Sequence, residues 1–273
     1  GHQAGTIMAM ATIGEAYSKL TDDYLKACVP TSDTKDIYID FKSIHNRDPK
    51  DEEELFIHKC NVAASLQLAT ENIIFDYISQ YLEKYPNKNL CLSGGVSLNA
   101  VAAGNMYDHL NVENIHVDPI PADNGLSYGA ALYVWHHILD NPRTKWKDNA
   151  TSYLGKVYNN NDIQLTLNNY SDKIIQLKSS DDEVVDLLSK QNIIAVFGGG
   201  SESGRRALGN RSILADPRSP DMKDMINEKV KHRQWFRPFA PSILREDVKH
   251  WFEKDIDSPY MSFVIKFKEE VRD

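Results

Sequence analysis

The chain has 273 residues, with 31 Lys and Arg against 39 Asp and Glu, a net charge of −8, and 41% hydrophobic and 26% charged residues. This is the composition of a soluble globular protein with room for one large domain or two modest ones. No apolar run nears the ~20 residues that cross a bilayer, so no membrane partner is expected and the chain reads as cytoplasmic.

Gly5 to Gly14 is rich in small residues and methionine and predicts a buried turn and helix start. A polar stretch from Thr31 to Lys50 surrounds one short strand candidate, Ile37 to Phe41. From Asp51 to Tyr85 apolar residues recur at helical spacing (Leu55, Val62, Leu66, Ala69, Ile73), with Asp51 to Glu54 suited to the N-terminal dipole and Pro86-Asn87 as a stop. A strand is expected at Asn89 to Leu92, then a Ser93-Gly94-Gly95 turn and a helix from Ser97 to His109. The pattern repeats as a strand at Ile115 to Val117, a loop through Asp123, and a helix from Leu126 to Ile138. Two βα units in tandem predict an α/β sheet. Asn141 to Asn149 breaks the pattern, which places a linker from there to about Asn169 and divides the chain into domains at 1–150 and 151–273. Beyond it come a strand at Lys173 to Leu177, a helix at Asp181 to Lys190, a strand at Ile193 to Phe197, a helix opened by Ser219-Pro220-Asp221, and a last strand at Met261 to Phe267.

Charge is uneven along this order. Arg205 to Arg245 carries 10 Lys and Arg against 4 Asp and Glu, a balance of +6, which leaves −14 elsewhere. A cationic island in an acidic chain suits a small anion rather than a nucleic acid, which the acidic remainder would repel. A solvated basic surface is the alternative reading. Cys28, Cys60 and Cys91 form no CxxC pair, and the nine histidines include neither HExxH nor an i,i+4 pair, so a zinc site made within this chain alone is not expected.

Three segments could carry chemistry. Gly94 and Gly95 join a strand to a helix, where backbone N–H groups can face a phosphate, or the turn can serve only as a connector. Asp123-Asn124-Gly125 sits at the matching point of the next βα unit, where the carboxylate could hold a metal or ribose, or simply close an Asx turn. Gly199 to Gly204 invites a phosphate-loop reading, but Arg205-Arg206 stands where that motif requires Lys then Ser or Thr, and GxGxxG spacing is also missed. The loop instead feeds Arg206, Arg211 and Arg218, followed by Lys229, Lys231, Arg233 and Arg237. Arginine forks grip phosphate and carboxylate oxygens in pairs, and added lysine suits an acyl phosphate or a triphosphate.

These segments carry a resemblance. Ser93 to Asn99 (SGGVSLN), Ala122 to Ala131 (ADNGLSYGAA), Glu202 to Arg218 (ESGRRALGNRSILADPR) and Phe236 to Ser242 (FRPFAPS) resemble the NodU/CmcH family of O-carbamoyltransferases, and Gly5 to Gly14 is similar to an earlier segment of that family. The resemblance implies part of an actin-like (ASKHA) nucleotide-binding domain in 1–150, related to the tRNA threonylcarbamoyl enzymes. In 151–273 it implies a linker and an α+β YrdC-like domain that forms carbamoyladenylate. Carbamoyl phosphate and ATP would be the substrates, with a hydroxyl-bearing small molecule as acceptor. It also implies Arg206, Lys231 and Arg237 as catalytic residues. Gly94, Gly95, Asn99, Asn124, Arg211 and Arg233 would bind substrate or nucleotide, and Asp123 would be a ligand to iron or magnesium. The alternatives are another actin-like phosphotransferase and a catalytically silent anion-binding or regulatory subunit. The family pattern has Arg, an aromatic and Pro where this chain has Gly200, Ser203 and Arg205, and Lys where it has Thr6. Members are about double this length, so a missing N-terminal half or a second subunit is expected as a partner.

Overall fold

Asp51 opens the longest helix because its carboxylate accepts the Glu54 N–H at 2.8 Å, and three further acidic residues occupy the first turn. In the computed structural model, which describes residues 4–28, 49–143, 150–175 and 180–272, this helix follows α1 (Ala4–Ala11) and α2 (Ser18–Cys28) as α3 (Glu52–Lys84). Both shorter helices pack on it. The contact with α1 ends tightly: a Cβ on Gly14 would lie 2.2 Å from the backbone of Cys60, so only glycine fits there.

The two expected βα units follow. Strand β1 (Asn89–Leu92) pairs in parallel with β2 (Asn114–Val117), Leu90 opposite Ile115 and Leu92 opposite Val117. Between them runs α4 (Ala100–His109). Phe75 of α3, Met106 of α4, Leu110 and Val112 just after it, and Ile115 and Val117 of β2 form a buried core cluster, with Ile78, Leu82 and Leu92 against it. After β2 come a short turn at Asp123–Gly125 and α5 (Leu126–Tyr133), which runs into a π-turn at Val134–Ile138.

The second half contains α6 (Asn160–Asn169), α7 (Asp181–Ser189), the antiparallel pair β3 (Ile194–Phe197) and β4 (Arg211–Leu214), and the short helices α8 (Met222–Met225) and α9 (Val248–Trp251). It folds back onto the first half: the Phe56 ring lies 5.8 Å from Trp235 and 5.6 Å from Phe236, and Val264 N–H donates to Ala100 carbonyl at 2.9 Å.

Mixed helix and sheet bears out the α/β class at that level. Several elements differ from expectation. The helix expected from Ser97 is a 3-10 turn over Gly95–Leu98, and α4 begins only after Asn99, which caps it. The expected linker holds α6, because Asn159 and Asp162 form a reciprocal capping box that opens a helix in a polar run. Asp221 has helical backbone angles and makes no side-chain cap, and α8 passes at once into a π-turn over Ile226–Val230. No strand forms at Met261–Phe267: Met261 has a φ of 52°, which breaks an extended run at its first residue, and Phe263 packs on Tyr107 instead. Lys173 closes a turn rather than starting a strand, and the rest of that candidate from residue 176, like Ile37 to Phe41, lies outside the described residues.

Candidate functional site

The turns after β1 and β2 meet at the C-terminal ends of the parallel pair. Gly94 N–H donates to Pro121 carbonyl at 2.7 Å, and Gly94 has a φ of 94°, a conformation that favours glycine. The left-handed residue is thus Gly94 and not Gly95. A Cβ built on either meets nothing within 4 Å, so open space adjoins the turn. Asn99 is committed to structure: its side-chain Oδ1 accepts the Ala102 N–H at 3.1 Å, and its amide exchanges hydrogen bonds with that of Gln67.

The glycine loop that follows β3 sits against the second turn. Asn124 Nδ2 donates to Ser203 carbonyl at 3.2 Å, and a Cβ on Gly204 would lie 2.1 Å from Pro119 carbonyl. Asp123 is exposed beside this contact. Among the described residues no three His, Cys, Asp or Glu side chains converge to hold a metal. One carboxylate is too small a ligand set for a transition metal such as iron, whereas magnesium takes as few as one carboxylate together with waters and substrate phosphates, so Asp123 suits magnesium better than iron.

Glu202 holds the glycine loop in shape. Its Oε1 accepts the N–H groups of Leu208, Asn210 and Arg211 at 2.8, 3.0 and 3.1 Å. Burial alone would raise its pKa, but these hydrogen bonds outweigh it and hold the carboxyl below its ordinary range. Arg211 is spent within the same hairpin, lying 3.7 Å over the Phe197 ring and donating to the carbonyls of Gly198, Gly199 and Asn210. Arg218 pairs with Asp216. Residues 152–155 lie across the loop: Ser203 N–H donates to Ser152 carbonyl, and Leu154 N–H donates to the Ser203 hydroxyl. A Cβ on Gly200 would come within 2.7 Å of Tyr153 carbonyl, which accounts physically for glycine where the family pattern has arginine.

Arg206, Arg233 and Arg237 make no ion pair with a carboxylate among the described residues and are held instead by neutral groups. Arg206 Nη2 approaches Leu98 carbonyl at 3.4 Å, just beyond the Gly94 turn. Arg237 Nη1 donates to Thr6 Oγ1 at 2.8 Å, and a Cβ on Gly5 would lie 3.4 Å from its Nη2. Arg233 Nε donates to Asn227 Oδ1 at 2.7 Å, and its guanidinium lies 4.5 Å over Phe239. Burial first, and then the like charge of Arg237, push the pKa of both Arg206 and Arg233 down. Like charges gathered in this way repel one another, and a bound anion would relieve that repulsion. Lys231 is exposed at the end of the π-turn.

Sequence reasoning missed the residues that aim this cluster. Asn227 is fully buried, and its Nδ2 donates to the carbonyls of Trp235 and Arg237, both at 3.0 Å, while its Oδ1 takes Arg233. Thr6 entered only as a departure from the family pattern, and Glu202 only as a letter of a motif. Asn227 lies on a π-turn that no spacing rule announces, so no local signal could have found it.

Sequence comparison joins these observations. A profile described as the carbamoyltransferase N-terminus matches residues 6–132, and one described as the carbamoyltransferase C-terminus matches residues 185–273. The chain belongs to the carbamoyltransferase family. Among its relatives are an uncharacterized protein of Synechocystis, 40% identical over 81% of this chain and 37% of its own, and an uncharacterized protein of Methanocaldococcus jannaschii, 33% identical over 95% and 43%. Nodulation protein NolO of Bradyrhizobium diazoefficiens is 38% identical over 77% of this chain and 39% of its own length. The chain therefore spans about two fifths of the curated relatives it matches. Arg206 and Arg237 belong to the C-terminal carbamoyltransferase match and reach Leu98 and Thr6 in the N-terminal one.

Proposed function

We propose that this chain carries part of the machinery of an O-carbamoyltransferase that works in the cytoplasm. Carbamoyl phosphate, ATP and water give carbamoyladenylate, phosphate and pyrophosphate; an acceptor hydroxyl then attacks the carbamoyl carbon and AMP leaves. In this reading 1–150 is part of an actin-like domain and 151–273 a YrdC-like one. Arg206, Arg233 and Arg237, with Lys231 at the rim, offset the charge of two polyanions that must be held together while one attacks the other. The Gly94-Gly95 turn takes the adenylate, with backbone N–H groups at the start of a helical turn as donors.

The observation that supports this most is the arginine trio without a carboxylate at the meeting of the two matched regions. A sheet-end site in a chain of this family, positively charged and adjoining open space, suits phosphoryl and carbamoyl groups. The described residues offer no cage for iron, and no step of the proposal passes through a metal.

The test is binding first and products second. Titration with pyrophosphate gives saturable, salt-sensitive binding, and Arg237→Ala weakens it by about 1–3 kcal/mol, the worth of a charged hydrogen bond. Unchanged affinity in Arg206→Ala and Arg237→Ala would return the cluster to surface electrostatics. Adding carbamoyl phosphate and ATP gives pyrophosphate; ADP in its place identifies an actin-like phosphotransferase instead.

A further inference from the structure

Glu71 is a buried carboxylate on α3, 7% exposed, and no cation among the described residues pairs with it. Such a group is costly to bury unless hydrogen bonds replace its water. Two amides do so: Gln67 Nε2 donates to Oε1 at 2.6 Å, and Asn105 Nδ2 of α4 donates to Oε2 at 2.8 Å. Gln67 lies one turn earlier on the same helix, and its Oε1 accepts Asn99 Nδ2 at 2.9 Å. Asn99 Oδ1 in turn accepts the Ala102 N–H of α4. The direction of this line is fixed at both ends. The Ala102 N–H can only donate, so Asn99 meets it with Oδ1 and turns Nδ2 toward Gln67. The Glu71 carboxylate can only accept, so Gln67 meets it with Nε2 and keeps Oε1 for Asn99. An apolar side chain at 71 frees the Gln67 amide to reverse, which sets donor against donor at Asn99.

We propose that Glu71, acting through Gln67, is a positioning residue for the anion site at the Gly94-Gly95 turn, an inference that rests on that turn's reading as an anion site. Asn99 closes the turn and opens α4: its N–H donates to Val96 carbonyl at 2.9 Å, and its own carbonyl accepts the Ala103 N–H at 3.0 Å. The residue before it, Leu98, offers its carbonyl to Arg206. Holding the Asn99 side chain therefore holds the turn in register with both α4 and the cationic cluster. A clamp between α3 and α4 is the structural alternative, but it needs neither Gln67 nor Asn99. Phe75 and Met106 already join the two helices in the core, and the Asn105 branch alone spans them. The second branch leads to the turn and nowhere else.

The experiment is pyrophosphate titration and residue-resolved hydrogen exchange on the wild-type chain and on Glu71→Leu, Gln67→Met and Glu71→Gln. Glu71→Leu and Gln67→Met each weaken pyrophosphate binding about tenfold, the worth of one well-placed hydrogen bond. Exchange quickens at the Ser97, Asn99 and Ala102 amides, while the Leu110 amide at the far end of α4 exchanges as in the wild type. Glu71→Gln restores both readouts, because its oxygen still accepts from Gln67 and the Asn105 amide can reverse to accept from its nitrogen. Gln67→Met keeps the carboxylate and decides the matter if Glu71→Leu does not fold. Exchange that quickens equally at Leu110 makes Glu71 a clamp between helices and overturns the proposal. So does a Glu71→Gln variant that binds no better than Glu71→Leu. Variants that bind pyrophosphate as the wild type does overturn this role alone, whereas a wild type that binds none overturns the anion site and this role with it.

Discussion

At the scale of single residues, Glu202 links titration to fold. Its carboxylate gathers three backbone N–H groups that no other side chain satisfies, and its folded pKa lies below the unfolded one. The stabilisation is therefore complete above the unfolded glutamate value of about 4.3 and is lost as pH falls through the lower folded value. Glu202→Gln should cost about 1–3 kcal/mol at neutral pH. Urea unfolding at a series of pH values should show the wild type losing stability below that point more steeply than the variant. Parallel slopes would mean that the three hydrogen bonds do not depend on charge. The neighbouring glycines separate two roles. Gly94→Ala strains a φ of 94° and should lower stability by about 1 kcal/mol, whereas Gly95→Ala meets no atom within 4 Å and should leave melting unchanged. If the turn cradles an anion, Gly95→Ala weakens pyrophosphate binding all the same, and equal affinity in that variant removes the turn from the site.

Among elements, the π-turn at Ile226–Val230 does most to aim charge. It turns Asn227 into the interior, where one amide fixes the Arg233 side chain and the Arg237 main chain together. Asn227→Ala should cost about 2–4 kcal/mol, since two buried carbonyls and a guanidinium lose their partner at once. Pyrophosphate binding by the folded fraction should fall with it, as read by calorimetry at a temperature where the variant is folded. What could be read from the chain follows the same physics. Helix α3 and strands β1 and β2 were legible because apolar spacing, an acidic first turn and Pro86 act locally. Strand β4 was not, because Arg211–Leu214 reads as part of a basic motif and is defined only by its pairing with β3. The cationic island pointed to Arg206 and Arg237, but it could not tell them from Arg211, whose aromatic platform at Phe197 is set by the hairpin.

For the molecule as a whole, the meeting of its ends matters more than any local element. The Thr6–Arg237 hydrogen bond joins residues 231 positions apart, and Arg206 reaches Leu98 across 108. Neither contact has a local signature, which is why the sequence offered the arginines but not the partners that hold them. Contacts of such high sequence separation must await closure of the whole intervening chain, and the entropy of that closure precedes any reward. The proposed anion site is thus a late product of folding. Intermediates that already hold α3, β1 and β2 gain nothing from a bound phosphate, so such a ligand acts on the finished protein alone, slowing its unfolding while leaving the rate of its formation untouched.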